Sequence, residues 1–232
     1  MGSSGAQVFL TGVTGFVGKV VLEHLIRERE TYGIETVHLL IRPRRGRSPE
    51  ERFKQKISAS KCFEHLPNEW EDRVRVVAGE MTEGDLGLNP KLLDKLAASV
   101  THIIHCAATI EFDLPIKEAA SANITGALNV LEFARTCPNL VAFTNCSTAY
   151  VMPANHNDQP LGEVLPDFPY EPERTYERIL ADPSSETTSE WLVESGHPNT
   201  YTFTKCLSEL LLANRRGEVP MTFVRPSIVS VS

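Results

Sequence analysis

The stretch Val8-Phe9-Leu10-Thr11-Gly12-Val13-Thr14-Gly15-Phe16-Val17-Gly18 decides the fold of this chain. Its apolar run predicts a buried strand, and the helical spacing of apolar residues over positions 17–29 predicts a helix after it. The three glycines between them are spaced GxxGxxG rather than the commoner GxGxxG. Glycine adopts backbone conformations closed to other residues and lets a helix pack closely on a strand. The sequence therefore predicts a strand that turns tightly into a helix.

Short apolar runs then alternate with helical patterns along most of the chain. Runs rich in Val, Ile and Leu predict buried strands at residues 7–11, 36–42, 73–78, 102–107, 140–145 and 221–225. Helices are predicted between them, among them residues 117–135 and 202–216. The linking segments are too long for hairpins, so the strands must run parallel with helices on both faces. We therefore expect an α/β fold, a doubly wound parallel sheet of the Rossmann type, over residues 1–232.

The composition excludes several classes of protein. Of the 232 residues, 41% are hydrophobic and 23% are charged, which is the balance of an ordinary globular protein. The formal net charge of −7 argues against nucleic-acid binding, and no apolar run approaches the roughly 18 residues that span a bilayer. Five cysteines without a CxxC pair predict free thiols in a reducing compartment and no structural zinc. We expect an intracellular protein, cytoplasmic or held at an organelle membrane by residues that this chain does not contain, and no metal site.

An acidic, proline-rich segment occupies residues 153–198. It holds ten acidic residues against Arg174 and Arg178, so it carries −8, and it contains seven of the fifteen prolines. So long an irregular stretch inside a compact domain is usually functional or mobile. The alternative is a solvated acidic excursion on the surface. We expect a segment without regular structure, and the first interpretation places it near the substrate site.

The glycine turn is typical of a site for a dinucleotide, because a helix that begins there aims unpaired N–H groups at a pyrophosphate. The second predicted strand ends in Arg42-Pro43-Arg44-Arg45, with no acidic residue until Glu50. Guanidinium groups suit a 2′-phosphate, so NADPH is favoured, with Arg42 as the first candidate and Arg45 as the second. The alternative is a basic solvated loop. The other candidate cofactor-binding residues are Thr11, Gly12, Thr14, Gly15, Phe16, Val17, Gly18, Glu80, Met81, Cys106, Ala107 and Ala108.

A Tyr–Lys pair supplies the candidate catalytic chemistry. Tyr201 and Lys205 are four residues apart on a predicted helix, so their side chains share a face. A nearby cation favours the phenolate, which predicts a lowered pKa for Tyr201. Ser147-Thr148 closes the fifth predicted strand at the edge of the sheet where ligands bind, and Asn123 lies early in the helix that follows the fourth.

These elements, in this order, resemble the extended short-chain dehydrogenase/reductases, and the resemblance narrows to the fatty acyl-CoA reductases. It is carried by the glycine turn and by stretches that cover nearly the whole chain. They are His105-Cys106-Ala107-Ala108-Thr109-Ile110-Glu111-Phe112-Asp113, Ser147-Thr148-Ala149-Tyr150-Val151, Pro198-Asn199-Thr200-Tyr201-Thr202-Phe203-Thr204-Lys205 and Val224-Arg225-Pro226-Ser227-Ile228-Val229.

The resemblance implies NADPH-dependent reduction of a fatty acyl-CoA thioester to an aldehyde and usually on to a primary alcohol. Tyr201 would be the general acid, and Lys205 would lower its pKa and hold the nicotinamide ribose. Thr148, helped by Ser147, would stabilise the developing oxyanion, and Asn123 would position a water. Tyr201 and Lys205, with Pro226 and Ile228, would complete the cofactor site.

Two other functions stay open from the sequence. One is a thioester reductase module that releases acyl chains from a carrier protein, and the other is a non-catalytic dinucleotide sensor. Glu111 and Asp113 have the spacing of an acid/base pair, but they are better interpreted as loop residues at the mouth of the pocket. The chain also resembles the N-terminal part of a longer protein. The acidic segment is unsuited to the phosphates of CoA, so we expect the cations for that carrier elsewhere.

Overall fold

Six parallel strands form one sheet in the computed structural model, which describes residues 5–153 and 162–229. The strands follow one another across the sheet in the order β3-β2-β1-β4-β5-β6. Their bounds are β1 Ala6–Thr11, β2 Ile34–Ile41, β3 Val74–Ala78, β4 His102–His105, β5 Ala142–Cys146 and β6 Met221–Val224. The order reverses between β1 and β4, which is the topological switch point of a doubly wound fold. The predicted Rossmann-type sheet is confirmed.

Nine α-helices connect and cover the strands in the described part of the chain. They are α1 Phe16–Arg27, α2 Arg29–Tyr32, α3 Pro49–Phe53, α4 Pro90–Ser99, α5 Ile116–Ala120, α6 Gly126–Arg135, α7 Pro172–Leu180, α8 Ser185–Ser195 and α9 Thr200–Arg215. A π-helical turn, Lys54–Ser58, extends α3, and a second one, Ser121–Thr125, separates α5 from α6. The helix predicted over residues 117–135 is therefore interrupted where a functional site often lies.

Apolar side chains fill both faces of the sheet. Alternate residues of a strand point to opposite faces, so Phe9 packs on one side while Val8 and Leu10 pack on the other. The first side is covered by helices that include α6 and α9, and the second by α1 and the segment that begins with α3. The carboxyl ends of the strands are thereby held at one edge.

The acidic segment differs from the expectation of irregular structure. It forms α7 and α8, while residues 154–161 lie outside the described residues. Pro172 occupies the first turn of α7, where a missing N–H costs nothing, so this proline favours a helix rather than breaking one. Trp191 of α8 is buried and its ring stacks 6.2 Å from that of Phe203 in α9. The segment is therefore anchored to the core.

Candidate active site

The glycine turn after β1 leaves no room for a side chain at two of its glycines. Gly12 has φ +77°, and a Cβ there would lie 2.5 Å from the Ala107 nitrogen. A Cβ on Gly18 would lie 2.3 Å from the Gly12 carbonyl oxygen. The absence of that Cβ lets the first turn of α1 pack directly against the loop. The Gly15 N–H donates to that same oxygen over 2.9 Å. The turn is therefore compact, and its backbone lies open to a ligand.

A cleft of about 370 Å³ lies above this turn, at the carboxyl edge of the sheet. Ten of the predicted cofactor-binding residues line it: Thr11, Gly12, Thr14, Gly15, Arg42, Glu80, Met81, Cys106, Ala107 and Ala108. The cleft is not lined by Phe16, Val17 or Gly18, because these residues belong to the helix that begins behind the turn. Phe16 is half-exposed, and Gly18 packs against Gly12. Residues at the carboxyl ends of β1, β2, β3 and β4, which are distant in sequence, therefore line one cleft.

Three arginines surround one end of the cleft. Arg42 donates to Glu80 over 2.9 Å, so the first candidate for the 2′-phosphate is already paired with another predicted cofactor residue. Arg44 and Arg52 also line the cleft, whereas Arg45 does not; Arg45 lies in the Arg44–Arg47 turn with φ +53°. Arg44 and Arg52 therefore take the place that was predicted for Arg45.

Arg52 comes from α3 and is the residue that sequence reasoning missed. The side chain of Ser48 caps α3, with Glu51 completing the capping box, and Arg52 donates to the Arg42 carbonyl. Its pKa is lowered, first by burial and then by the charges of Arg42 and Arg44. The capping box itself was the available signal, because it begins a helix that carries Arg52 back to the end of β2.

Lys205 lies buried beneath the site. The side chain of Asn199 caps the start of α9 by accepting the Thr202 N–H over 2.9 Å, and this helix carries Lys205 toward the end of β5. There Lys205 Nζ donates to the Cys146 carbonyl over 2.8 Å. Burial lowers the pKa of Lys205, and the neighbouring Cys146 and Glu209 side chains oppose that effect.

Tyr201 lies one helical turn before Lys205, with its ring 5.8 Å from that of Phe112. Its pKa is raised by burial, while interaction with the side chain of Thr148 lowers it. The prediction that Lys205 lowers the pKa of Tyr201 is not met, because burial dominates and the Lys205 amine is directed to a backbone carbonyl. A raised pKa keeps the phenol protonated.

The adjacent hydroxyl residues after β5 have different environments. Thr148 approaches the Tyr201 phenol, and its hydroxyl also accepts the Tyr150 N–H over 3.3 Å. The Ser147 hydroxyl is buried without a hydrogen-bond partner among the described residues, as are both polar atoms of the Asn145 side chain. The structure therefore places Thr148, and not Ser147, against the phenol.

Asn123 is held by protein groups at both ends of its amide. Its Oδ1 accepts the Thr109 N–H over 2.9 Å, and its Nδ2 donates to Thr204 over 3.1 Å. Only 1% of Asn123 is exposed, and it lies in the π-helical turn before α6. Its amide therefore ties the loop after β4 to α9. Its role in positioning a water stays a prediction, since each end of the amide keeps capacity for one further hydrogen bond.

Comparison with known proteins adds to this geometry. The family described as male sterility protein matches residues 10–232, which include the glycine turn, Thr148 and the Tyr201–Lys205 pair. The chain belongs to the male sterility protein family. Two curated relatives are fatty acyl-CoA reductase 1 of Gallus gallus and fatty acyl-CoA reductase 2 of Mus musculus. They are 32% and 33% identical over 98% and 99% of this chain, which spans 44% of the length of each.

Solved structures agree with the fold of this male sterility family chain. The terminal R domain of the myxalamid biosynthetic pathway has a TM-score of 0.69 at 23% identity, covering 99% of this chain and 51% of that one. A thiolation-reductase di-domain from an archaeal non-ribosomal peptide synthetase has a TM-score of 0.66 at 20% identity, covering 96% and 41%. At these identities the likeness concerns the fold alone.

The remaining predicted residues of this family member lie around the site. The Pro226 carbonyl accepts the Ala149 N–H over 2.9 Å, Ile228 is largely exposed, and neither lines the cleft. Glu111 lines the mouth of the cleft. His105 is buried against Thr11, and its pKa is lowered to about 3 by burial and by the charge of Lys205.

The described residues contain no cluster of His, Cys, Asp or Glu that could hold a metal, and none of their helices is long and apolar enough to cross a bilayer.

Proposed function

We propose that this chain binds NADPH and reduces a fatty acyl thioester by hydride transfer. The observation that carries the proposal is the meeting of Tyr201, Thr148 and Lys205 at the end of β5, next to Cys106, which lines the cleft of the glycine turn. A proton donor, a hydroxyl beside it and a buried cation are the groups that a carbonyl reduction requires. The relatives named as fatty acyl-CoA reductases support an acyl-CoA substrate.

The residues of the cleft fit NADPH. Gly12 and Gly15 line the cleft, and Gly18 lets the first turn of α1 pack against the Gly12 carbonyl, so the backbone of the turn is open to a pyrophosphate. The other end of the cleft holds three guanidinium groups, from Arg42, Arg44 and Arg52, against the carboxylate of Glu80 at the end of β3. This excess of positive charge suits a 2′-phosphate, and it would serve no purpose against the 2′-hydroxyl of NADH.

The proposed reaction assigns one role to each residue of the site. NADPH held in the cleft would supply the hydride for the thioester carbonyl carbon. Thr148 hydrogen-bonds the carbonyl oxygen, and Tyr201, kept protonated by its raised pKa, donates a proton to that oxygen. Lys205, whose amine donates to the Cys146 carbonyl and not to the phenol, would hold the nicotinamide ribose. Asn123 positions the loop after β4 against α9, the helix that carries Tyr201.

The product of that step is a hemithioacetal, in which carbon carries both the new hydroxyl and the thioester sulfur. Its carbon–sulfur bond then breaks, the thiol departs with the hydroxyl proton, and an aldehyde remains. A second hydride and proton would convert the aldehyde to a primary alcohol. This completes the proposed reaction without a metal ion.

Turnover with a set of acyl-CoA thioesters of different chain length tests the proposal. NADPH consumption would be followed by absorbance and the products by mass spectrometry. Tyr201→Phe is expected to lose about 10²- to 10⁴-fold in turnover, because the proton donor is removed, while NADPH affinity stays within about two-fold. Tyr32→Phe is the matched control, since Tyr32 is exposed and bonds His24 away from the cleft. Unchanged turnover in Tyr201→Phe would refute the proton-donor role.

The same assay separates the two other functions. Aldehyde or alcohol formed only from an acyl chain attached to a carrier protein would indicate a thioester reductase module. Tight NADPH binding without any product from either kind of thioester would indicate a sensor.

Cofactor choice is tested by comparing NADPH and NADH binding. Arg52→Ala removes a charged hydrogen-bond donor worth about 1.5–3 kcal/mol, so NADPH affinity should fall about 10- to 150-fold while NADH affinity changes little. Arg47→Ala is the control, because Arg47 belongs to the same basic run but does not line the cleft. Equal losses for the two dinucleotides would show that Arg52 does not bind the 2′-phosphate.

A further inference from the structure

Two cysteines occupy equivalent positions at the carboxyl ends of neighbouring parallel strands. β4 and β5 pair in register with His105 opposite Asn145, and the next residues along the two chains are Cys106 and Cys146. The two thiols are close enough that each shifts the pKa of the other. Neighbouring strands lie about 4.8 Å apart, inside the Cα–Cα range of about 4.4–6.8 Å that a disulfide spans. A disulfide needs its Cβ atoms about 3.5–4.5 Å apart, so the bond can form with a small local shift of the two strand ends.

This cysteine pair links both halves of the candidate active site. The Cys106 peptide packs against Gly12 so closely that a Cβ on Gly12 would lie 2.5 Å from the Cys106 carbonyl carbon, and Cys106 lines the cleft. The Cys146 carbonyl accepts the hydrogen bond from Lys205 Nζ. Both cysteines are partly exposed, whereas Cys137 and Cys206 are buried. A small molecule that enters the cleft therefore reaches Cys106, and Cys146 beside it is also partly exposed.

We propose that Cys106 and Cys146 form a dithiol site that hydrogen peroxide oxidises reversibly to a disulfide, and that this oxidation impairs the cofactor cleft. The sulfur of Cys146 attacks one peroxide oxygen, the O–O bond breaks, and a sulfenic acid and one water form. The sulfur of Cys106 then attacks the sulfenic sulfur, the S–S bond forms, and a second water leaves with the Cys106 proton. Each cysteine sulfur loses one electron and the peroxide gains two. A dithiol reductant returns both thiols.

The surroundings assign the two cysteines to different steps. The pKa of Cys146 is lowered, first by the hydrogen bond from Cys106 and also by the charge of Lys205, against the effect of burial. The pKa of Cys106 is raised by that hydrogen bond and by burial. Lys205 Nζ, 2.8 Å from the Cys146 carbonyl, also places a cation beside Cys146. Cys146 is therefore the attacking thiolate and Cys106 the resolving thiol, because the thiolate is the nucleophile.

The effect on the cleft rests on the proposed function. A disulfide that draws Cys106 toward Cys146 moves the peptide against which Gly12 packs, so the glycine turn loses the shape that accepts a pyrophosphate. We expect NADPH affinity to fall at least ten-fold on oxidation and to recover with the reductant. Bound NADPH should in turn slow the oxidation several-fold, because it covers the cleft that Cys106 lines.

Mass spectrometry of the oxidised chain tests the site without any assay of activity. After treatment with hydrogen peroxide and blocking of free thiols, trypsin should release residues 96–117, which hold Cys106, joined to residues 136–174, which hold Cys137 and Cys146. Because that second peptide carries two cysteines, Cys137→Ser is the matched control and should retain the cross-link. Cys146→Ser should abolish it, and circular dichroism would establish that this variant is folded.

Three results would overturn the proposal. They are a cross-link that survives in folded Cys146→Ser, oxidation of wild-type Cys146 to sulfinic acid without a cross-link, and free thiols at both positions after excess peroxide. A different result would distinguish failure of the proposed function. If the cross-link forms but the chain binds NADPH in neither redox state, the dithiol site stands and NADPH binding is refuted.

Discussion

A buried ion pair behind the candidate active site makes a sharp prediction about stability. Glu209 of α9 is fully buried and receives hydrogen bonds from Arg225, which follows β6. Arg225 also donates to the carbonyls of Val164 and Gly162. The pair therefore joins the helix that carries Tyr201 and Lys205 to the last strand and to the acidic segment. The perturbation that tests it is Glu209→Gln, which keeps the shape of the side chain and removes its charge.

The magnitude follows from burial. Removing one partner of a buried pair costs about 3–5 kcal/mol, because the remaining charge is left uncompensated. The side chain of Arg225 is 18% exposed and keeps its two carbonyl partners, so we expect the lower end of that range. For a chain of this size, about 3 kcal/mol corresponds to a fall in Tm of roughly 6–12 °C.

Glu173→Gln is the matched control. Glu173 pairs with Arg215 at the end of the same helix, but both side chains are 37% exposed. Exposed pairs contribute about 0–1 kcal/mol, since water screens the charges. Urea unfolding followed by circular dichroism would give the free energy of unfolding of both variants. Equal losses of stability in the two variants would refute the reasoning, because burial would then not govern the effect.

Three further perturbations have expected outcomes. Gly12→Ala should lower NADPH affinity more than ten-fold in a fluorescence titration, because the new Cβ meets backbone atoms at 2.5 Å. Gly33→Ala is the control, since Gly33 also has positive φ but open space around it. It should lose only about 1–2 kcal/mol of stability and no NADPH affinity. Asn123→Ala leaves the Thr109 N–H and the Thr204 hydroxyl without their partner, so it should lower the free energy of unfolding by about 1–3 kcal/mol and reduce turnover. Asn139→Ala at the surface should change neither quantity. Unchanged stability and turnover in Asn123→Ala would contradict its positioning role. His105 stays neutral in the folded chain down to about pH 3, whereas in the unfolded chain it takes up a proton near its ordinary pKa. Its contribution to the free energy of unfolding is therefore fully present above about pH 6.5. As the pH falls below that value, the contribution is lost by about 1.4 kcal/mol per pH unit. His105→Gln should flatten the dependence of unfolding free energy on pH between 6.5 and 4, the exposed His65→Gln should not, and identical slopes in both variants would refute the assignment.

The sequence alone predicted the sheet, the glycine turn and the Tyr–Lys pair, because each depends on spacing within a short stretch. Runs of Val, Ile and Leu predicted six strands, and all six are present within a few residues of their expected bounds. The i, i+4 spacing of Tyr201 and Lys205 places both on one helix wherever that helix lies. The acidic segment was the exception, because a proline such as Pro172 marks either a break or the first turn of a helix.

Only the tertiary structure decided which side chains meet at the site. Arg42 pairs with Glu80, 38 residues away, and Asn123 bonds Thr204, 81 residues away. The pKa of Tyr201 is raised rather than lowered because burial, which no local pattern records, outweighs the neighbouring groups. Local spacing determines which face of an element a residue occupies. The charges and dipoles that a residue meets there are set by packing between segments far apart in the chain.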